Sequence, residues 1–314
     1  MSDVITLGAH IGDVHAWPVE GIPTGQQLGI IEKIKLSVAG TAAGTAVDLA
    51  KLGVSVSTVG KVGDDSIGQF VTASMAARGI DVSGLTVSAH SQTSSSVLPI
   101  RPDGSRPALH VIGANADLTE DDIPWDLVAQ AKVLHMGGVF ILPGLDGKPM
   151  ARVLERVKSL GVTVTMDFLM SPRDDAQEML APSLPFVDYV MPNIEEAGWL
   201  VGSEDRAEII QWLHDRGAGC SVLTMGGDGV SIAEKGRQEI LETAFDVDVV
   251  DTTGCGDAFS SGFIAGLLAG ESLGEAATLG LACGSLVATG LGSDAGIVDR
   301  AQVEAFRREH PRHS

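Results

Sequence analysis

The chain has 314 residues, 44% of them apolar, which suits one large α/β domain with a full core and excludes a disordered chain. Its 41 acidic and 21 basic residues give a net charge of −20, which argues against nucleic acids and anionic membranes as partners, because both attract basic surfaces. The three cysteines disfavour a disulfide framework. The N-terminus, MSDVITLGAH, lacks the features of a signal peptide, and no segment has the apolar length of a membrane span, so we expect a cytoplasmic protein.

The N-terminal third predicts a small accessory sheet. Short, partly polar strands are predicted at residues 14–19, 34–38, 94–100 and 108–112. Helices predicted at residues 44–52 and 66–78 interrupt them, so we interpret the whole chain, residues 1–314, as a single domain. The accessory sheet, formed from segments near 14–38 and 94–112, would cover a cleft as a small β lid.

Strands and helices alternate from about residue 120 onward. Strands are predicted at residues 133–136, 162–167, 187–191, 221–225, 229–234 and 245–250. Helices are predicted at residues 149–159, 174–184, 194–201 and 204–216, and one more begins after Gly256. This order implies an α/β fold with a doubly wound, mostly parallel sheet flanked by helices. Ligands bind such sheets at the carboxyl ends of the strands.

Residues 250–260 read VDTTGCGDAFS and end where an apolar, helix-periodic run begins. Gly254, Cys255 and Gly256 are therefore predicted to form a first helical turn, whose N–H groups have no intrahelical partner and bind anions. The glycines allow a ligand to approach the backbone closely. Asp257 would repel an anion there unless it has a separate task, such as taking a proton from a substrate hydroxyl.

Two further groups of polar residues follow predicted strands. Thr224, Gly226 and Gly229 belong to TMGGDG, which on its own is better read as a hairpin turn. Asn193 and Glu196 stand three residues apart at a helix start, where they could hold a hydrated metal ion. An N-cap with a glutamate at the third helical position explains the same pair, and taken alone it is the better interpretation. Asp167 ends a predicted strand at the same sheet edge, as a cap or a site residue.

The combination of an anion site, an adjacent acid and a metal-binding face favours phosphoryl transfer, with Asp257 as the general base. The sequence contains no GxxxxGKS/T loop, no HExxH pair and no early GxGxxG. A P-loop site, a zinc site and a dinucleotide-dependent oxidoreductase are therefore disfavoured.

Several motifs resemble the ribokinase-like (PfkB) carbohydrate kinase family over roughly residues 3–296. The matching segments are DTTGCGDAFSSGF, AGTAAGTAVDLAKLG, VSTVGKVGDDSIGQ, MPNIEEA, TMGGDGV and GANADLT. The resemblance implies a ribokinase-like fold and a transfer of the ATP γ-phosphate to a hydroxymethyl group, with Mg²⁺, under a β lid.

The resemblance also implies a role for individual residues. Asp257 would be the base, and the amides of Gly254, Cys255 and Gly256 the anion hole. On the nucleotide side, Asn193 and Glu196 would organise phosphates and Mg²⁺, the latter through water, and Thr224, Gly226 and Gly229 would line the ATP site. On the substrate side, Asp13 would bind hydroxyls and Gly40 would pack close to the sugar. Asp251 and Thr253, with Gly292, resemble the site at which many members bind K⁺.

The departures from the family pattern fall on the substrate side. The usual Gly-Gly pair and sugar-binding Asn are replaced by Ala39-Gly40 and Gly44, and Gly137-Gly138 stand where a polar residue often occurs. We therefore expect a wider or differently recognised substrate, with His10 and Asn115 as replacement contacts. A nucleoside kinase and a catalytically weak ligand-binding homologue are the alternatives, and a homodimer could form through the lid.

Overall fold

The computed structural model describes residues 2–102, 105, 107–171, 173–293 and 295–312, which form a nine-stranded and a four-stranded sheet with flanking helices. The strands are β1 (Val4–Gly8), β2 (Ile11–Trp17), β3 (Lys33–Ala39), β4 (Val56–Gly63), β5 (Asp81–Ser88), β6 (Ser95–Pro99), β7 (Leu109–Val111), β8 (Val133–Val139), β9 (Thr163–Phe168), β10 (Tyr189–Val190), β11 (Cys220–Thr224), β12 (Val230–Glu234) and β13 (Ile240–Glu242). The helices are α1 (Thr41–Lys51), α2 (Ser66–Ala76), α3 (Trp125–Val128), α4 (Lys148–Ser159), α5 (Ala176–Leu180), α6 (Ile194–Val201), α7 (Arg206–Asp215), α8 (Cys255–Ala269), α9 (Leu273–Ala288) and α10 (Arg300–Glu309).

The large sheet has the strand order β13-β12-β11-β10-β9-β8-β1-β4-β5. Strand β1 pairs in parallel with β4 and β8, and among the described strands of this sheet only the pairs β11–β12 and β12–β13, at one edge, are antiparallel. Every residue of β1 and β8 is buried, as in parallel sheets covered on both faces. The predicted doubly wound, mostly parallel sheet is therefore confirmed.

Two hydrophobic clusters bury the two faces of this sheet. One contains Leu49, Phe263 and Leu279 from α1, α8 and α9. The other contains Leu154 and Leu213 from α4 and α7. Because helices cover both faces, binding residues can reach solvent at the strand ends, where the functional side chains lie.

The four-stranded sheet is the predicted lid, with the order β3-β2-β6-β7. Side chains alternate between its faces. Asp13 on β2 is directly opposite Ser37 on β3 and Ser96 on β6, so these polar residues share one face. Leu36 and Val97 belong to the other face, and both are exposed. Three residues of the predicted 94–112 segment, at positions 103, 104 and 106, lie outside the described residues.

Strands β4, β5 and β13 were not predicted from the sequence, and one predicted strand is wrong. The predicted strand at 245–250 does not form: Phe245 makes one isolated bridge, to Arg312, and the amide of Val250 donates to Ala288 O at 2.8 Å, at the end of α9. Its alternating valines imitate a strand, but β13 already ends the sheet, so the segment finds no strand to pair with. The predicted anion-binding turn consequently follows an irregular segment.

Candidate active site

The turn at the start of α8 contains the three residues of the predicted anion site. Gly254 is the N-cap residue, with φ 82°, in the left-handed region that favours glycine. A Cβ atom there would lie 2.7 Å from Ser293 Cα, so both the backbone conformation and the lack of space require glycine. A Cβ atom on Gly256 would meet nothing within 4 Å, so this side of the turn is open to a ligand. The Cys255 amide donates to Thr252 O at 3.3 Å, so this amide is shared with the turn itself.

Asp257 is half-buried in the first turn of α8, against helix α1. Its backbone carbonyl accepts hydrogen bonds from Ser261 Oγ at 2.7 Å and from Thr45 Oγ1 at 3.5 Å. A Cβ atom on Gly44 would lie 2.6 Å from Asp257 Oδ2. Gly44 therefore leaves the room that the Asp257 carboxylate occupies, and a larger residue there would displace it.

The negative charges of two predicted site acids, Glu196 and Asp257, act on Asp167. Burial raises the pKa of Asp167 well above its usual range, and the negative charges of Glu196 and Asp257 add to this effect. Burial also raises the pKa of Glu196 to about 7. Three carboxyl groups that repel one another in a partly closed site favour the binding of a cation. From the sequence, Asp167 could be either an ordinary cap or a site residue. Its electrostatic interaction with Glu196 and Asp257 favours a site residue.

The residues present fit a hydrated Mg²⁺ ion. Carboxylate oxygens are the ligands that this ion prefers, and it usually keeps several of its waters. Among the described residues, no three His, Cys, Asp or Glu side chains are close enough to hold a metal directly. Asp167 and Glu196 would contact such an ion through its waters, and its positive charge would stabilise the ionised forms of these two acids, whose pKa values burial raises.

Asn193 and Glu196 form the capping box that was the alternative interpretation. Asn193 Oδ1 accepts from the Glu196 amide at 2.8 Å, and the Asn193 amide donates to Glu196 Oε2 at 3.1 Å. The same segment bridges to Thr224, whose amide donates to Pro192 O at 3.2 Å. Two of the residues predicted at the nucleotide site are thus adjacent in space, and the cap fixes their orientation.

The TMGGDG segment joins β11 and β12 as a hairpin, as its pattern alone suggested. Gly226 has φ 57°, and a Cβ atom there would meet nothing within 4 Å. Gly229 has φ 97°, and a Cβ atom there would overlap the Glu242 carbonyl on β13. Gly229 is therefore required by packing, whereas Gly226 presents open backbone to a ligand.

On the substrate side, Asp13 and Asn115 are both buried. Asn115 Oδ1 accepts from the His10 amide at 3.1 Å. Its buried Nδ2 has no hydrogen-bond partner among the residues that the structure describes. Such a donor costs about 1–3 kcal/mol when it stays unsatisfied, so a ligand that accepts from it gains affinity.

His10 is not available as a replacement contact. Its Nδ1 is 2.9 Å from Gly8 O and its Nε2 is 2.7 Å from Thr58 Oγ1, so both ring nitrogens are used by the protein. Burial lowers the pKa of His10 to about 4, which keeps the imidazole neutral.

The expectation of extra room at Gly137 and Gly138 is wrong. A Cβ atom on Gly137 would lie 2.6 Å from the Ala42 amide nitrogen. Gly138 has φ 93°, and a Cβ atom there would lie 2.5 Å from Ala9 Cβ. Gly40 is similar, with φ 92° and a distance of 2.5 Å from its Cβ position to Ala9 O. These glycines allow β1, β8 and α1 to approach closely, and they do not widen a substrate cavity.

Asp251, predicted at a cation site, is buried and extensively hydrogen-bonded. Its Oδ1 accepts from the Thr253 amide at 2.9 Å and from Thr253 Oγ1 at 2.6 Å. Its Oδ2 accepts from the Gly292 amide at 2.9 Å. The predicted trio of Asp251, Thr253 and Gly292 is thus brought together beside the anion-binding turn.

Comparisons with known proteins agree with this geometry. The pfkB family carbohydrate kinase pattern matches residues 1–300. The chain belongs to this family. Its members are phosphotransferases with hydroxyl acceptors, and this chain is an enzyme of that class.

Relatives in the pfkB family differ in the acceptor that their names give. The fructokinase of Klebsiella pneumoniae is 30% identical over 268 residues, 81% of this chain and 86% of that protein. The cytidine kinase of Thermococcus kodakarensis is 30% identical over 246 residues, 77% of this chain and 84% of that protein. The structure of Arabidopsis thaliana ribokinase complexed with ribose and ATP has a TM-score of 0.83 at 23% identity, with coverage of 98% and 99% of the two chains, which shows the ribokinase-like fold.

None of the described helices has the length and apolar character needed to cross a membrane.

Proposed function

We propose that this pfkB family protein transfers the γ-phosphate of ATP to a hydroxymethyl group of a small sugar, with Asp257 as the general base. The observation that carries the proposal is the position of the Asp257 carboxylate, in the first turn of α8 and against Gly44 of α1. Such a carboxylate can accept a proton from a substrate hydroxyl beside the phosphate that the turn binds.

In this reaction Asp257 takes the proton as the substrate oxygen bonds to the γ-phosphorus. The bond from that phosphorus to the bridging oxygen breaks, and ADP leaves with the electron pair. The amides of Gly254, Cys255 and Gly256 would stabilise the charge on the transferring group. Mg²⁺, when bound, supplies positive charge to the phosphates. Asp167 and Glu196 would hold it through water.

The nucleotide would lie along Asn193, Thr224, Gly226 and Gly229, and the substrate beneath the lid at Asp13, Gly40, Gly44 and Asn115. The Asn115 Nδ2 group supports this placement, because it is a buried donor with no partner among the described residues. The cytoplasmic location stays a prediction. The use of K⁺ that the family resemblance implies at Asp251 and Thr253 is untested, and the contact of Lys35 Nζ with Leu291 O argues against it.

A nucleoside kinase is the second candidate. Two observations favour it: the cytidine kinase relative is as similar as the fructokinase, and Gly44 has no side chain with which to grip a sugar. A catalytically weak ligand-binding homologue is disfavoured, because Asp257 and its flanking turn retain the geometry needed for chemistry.

The test is ADP release from Mg·ATP across a panel of pentoses, hexoses, keto-sugar acids and nucleosides. Asp257→Asn should lower kcat on the best acceptor by about 10²–10⁴-fold, the scale of general-base loss, while ATP still binds. Asp121→Asn, an exposed acid, is the matched control. Turnover confined to nucleosides would favour the second candidate, and undiminished turnover in Asp257→Asn would reject the assigned base.

We also propose that two copies pair through the outer face of the lid. Ile34, Leu36, Val97 and Leu109 on this face are 64%, 49%, 46% and 71% exposed, and such an apolar surface is unusual in a monomer. Leu36→Glu should convert a dimer to a monomer in light scattering, whereas Leu160→Glu, at the distant end of α4, should not. A wild-type monomer at high concentration would contradict this proposal.

A further inference from the structure

Lys35 of the lid strand β3 reaches across to the loop that precedes α10. Its Nζ donates to Leu291 O at 2.8 Å. A Cβ atom on Gly292 would lie 3.1 Å from this Nζ, so the ammonium group rests directly against the loop. In the lid ladder Lys35 is opposite His15, on the face that carries Asp13 and Ser37. A lysine on a lid strand thus places a positive charge beside the predicted cation site.

The same loop connects the lid to the anion-binding turn. The Gly292 amide donates to Asp251 Oδ2 at 2.9 Å, and His15 Nδ1 lies 4.0 Å from the same oxygen. Ser293 Oγ donates to Val38 O at 2.9 Å, and Ser293 Cα would be 2.7 Å from a Cβ atom on Gly254. Anything that holds this loop in place therefore also supports the turn that begins α8.

A monovalent cation at this position would need carbonyl oxygens and an acidic partner. The Leu291 carbonyl already accepts a hydrogen bond from an ammonium group, and both lone pairs of Asp251 Oδ1 are used by the amide and hydroxyl of Thr253. A second cation here would be repelled by the Lys35 charge. These residues therefore do not fit a site at which K⁺ is required.

We propose that Lys35 supplies the positive charge at this position, so that the protein works without a monovalent cation. The proposal rests on the kinase function above. Lys35 is a positioning residue: it acts on the turn of Gly254 through the loop of residues 291–293. A buried carboxylate such as Asp251 is stable only with hydrogen bonds and compensating charge nearby, and the tethered ammonium group is always present.

The decisive variant is Lys35→Met, which keeps the unbranched shape and most of the length of the side chain and removes its charge. Lys33→Met is the matched control, because Lys33 lies two residues away on the same strand and is exposed. Each protein is compared in choline chloride and in KCl at a constant ionic strength of about 0.1 M, so that screening is equal.

We expect the turnover of the wild type and of Lys33→Met to be the same in both salts. The turnover of Lys35→Met in choline chloride should be about tenfold or more below that of the wild type, which is the scale of one charge-assisted hydrogen bond. In KCl its turnover should recover, as K⁺ enters the position that the ammonium group has left. Strong activation of the wild type by K⁺ would overturn the proposal. A Lys35→Met protein that is fully active in choline chloride would also overturn it. So would a variant whose lost turnover K⁺ does not restore, since the lysine would then only connect the lid to the loop and would not replace a cation.

Thermal unfolding gives a second measurement that does not depend on finding the acceptor. The midpoint Tm of Lys35→Met should be lower than that of the wild type in choline chloride and should rise specifically with K⁺. The wild-type Tm should not differ between the two salts. An absence of kinase activity would thus refute the proposed function, whereas a K⁺-dependent wild-type Tm would refute the role of Lys35.

Discussion

The substitution Gly44→Ala separates catalysis from stability most sharply. The added Cβ atom would lie 2.6 Å from Asp257 Oδ2 and 3.1 Å from Asp257 Cγ, so the carboxylate must move. The nearest atoms belong to the end of a side chain, which can rotate away, whereas Asp257 Cβ, at 3.2 Å, needs a shift of a few tenths of an ångström in α8. Alanine in a helix interior is about 0.5–1 kcal/mol more stable than glycine, which offsets part of this cost. We therefore expect the free energy of unfolding to change by no more than about 1 kcal/mol in either direction.

Catalysis should respond much more strongly, because the general base is the group that moves. A displacement of about 1 Å in a catalytic group can cost on the order of 10²-fold in rate. We expect kcat on the best acceptor to fall by about this factor, with little change in Tm. Turnover is measured with saturating Mg·ATP, and stability by urea unfolding.

Gly274→Ala is a matched control for this measurement. Gly274 is also helical, in the first turn of α9, and a Cβ atom there would lie 3.2 Å from a carboxylate oxygen, Glu242 Oε1. It should change neither kcat nor Tm appreciably. If Gly44→Ala kept kcat within about threefold of the wild type, less than 1 kcal/mol of barrier, either the carboxylate is not the base or it does not react from this position.

Two further predictions concern Glu196 and Asn115. The pKa of Glu196 rises from 4.5 to about 7 on folding, so the folded state binds this proton more tightly than the unfolded state does. The stability that protonated Glu196 contributes is therefore fully present below pH 4.5 and is lost as the pH rises through about 7. The Tm of Glu196→Gln minus that of the wild type should therefore increase between pH 4.5 and about pH 7. Histidine titration affects both proteins and cancels in this difference in Tm. A difference in Tm that does not change with pH would contradict the raised pKa. Asn115→Ala should raise KM for the acceptor by about tenfold or more, since a buried donor is lost, and an unchanged KM would remove Asn115 from the substrate site.

Local chemistry was sufficient to predict much of this protein from its sequence. The alternation of strands and helices predicted the parallel sheet, because each element carries its own hydrophobic period. The glycines before α8 predicted an anion-binding turn, because a left-handed N-cap and an open first turn leave few alternatives to glycine. The hairpin of TMGGDG and the capping box of Asn193 with Glu196 were also predictable, since their hydrogen bonds join residues close in sequence.

Tertiary structure decided whatever depends on residues far apart in the chain. The segment 245–250 has the pattern of a strand but finds no neighbouring strand, because β13 ends the sheet. Gly137 and Gly138 were interpreted as room for a substrate, yet α1 and the β1–β2 connection fill that room. No sequence pattern predicts that Lys35 contacts Leu291, 256 positions away, or that Gly44 lies against the side chain of Asp257. The hydrophobic period and the turn-forming residues are properties of single elements, so the sequence reveals them. A site forms where separate elements pack, and only the fold determines which side chains meet there.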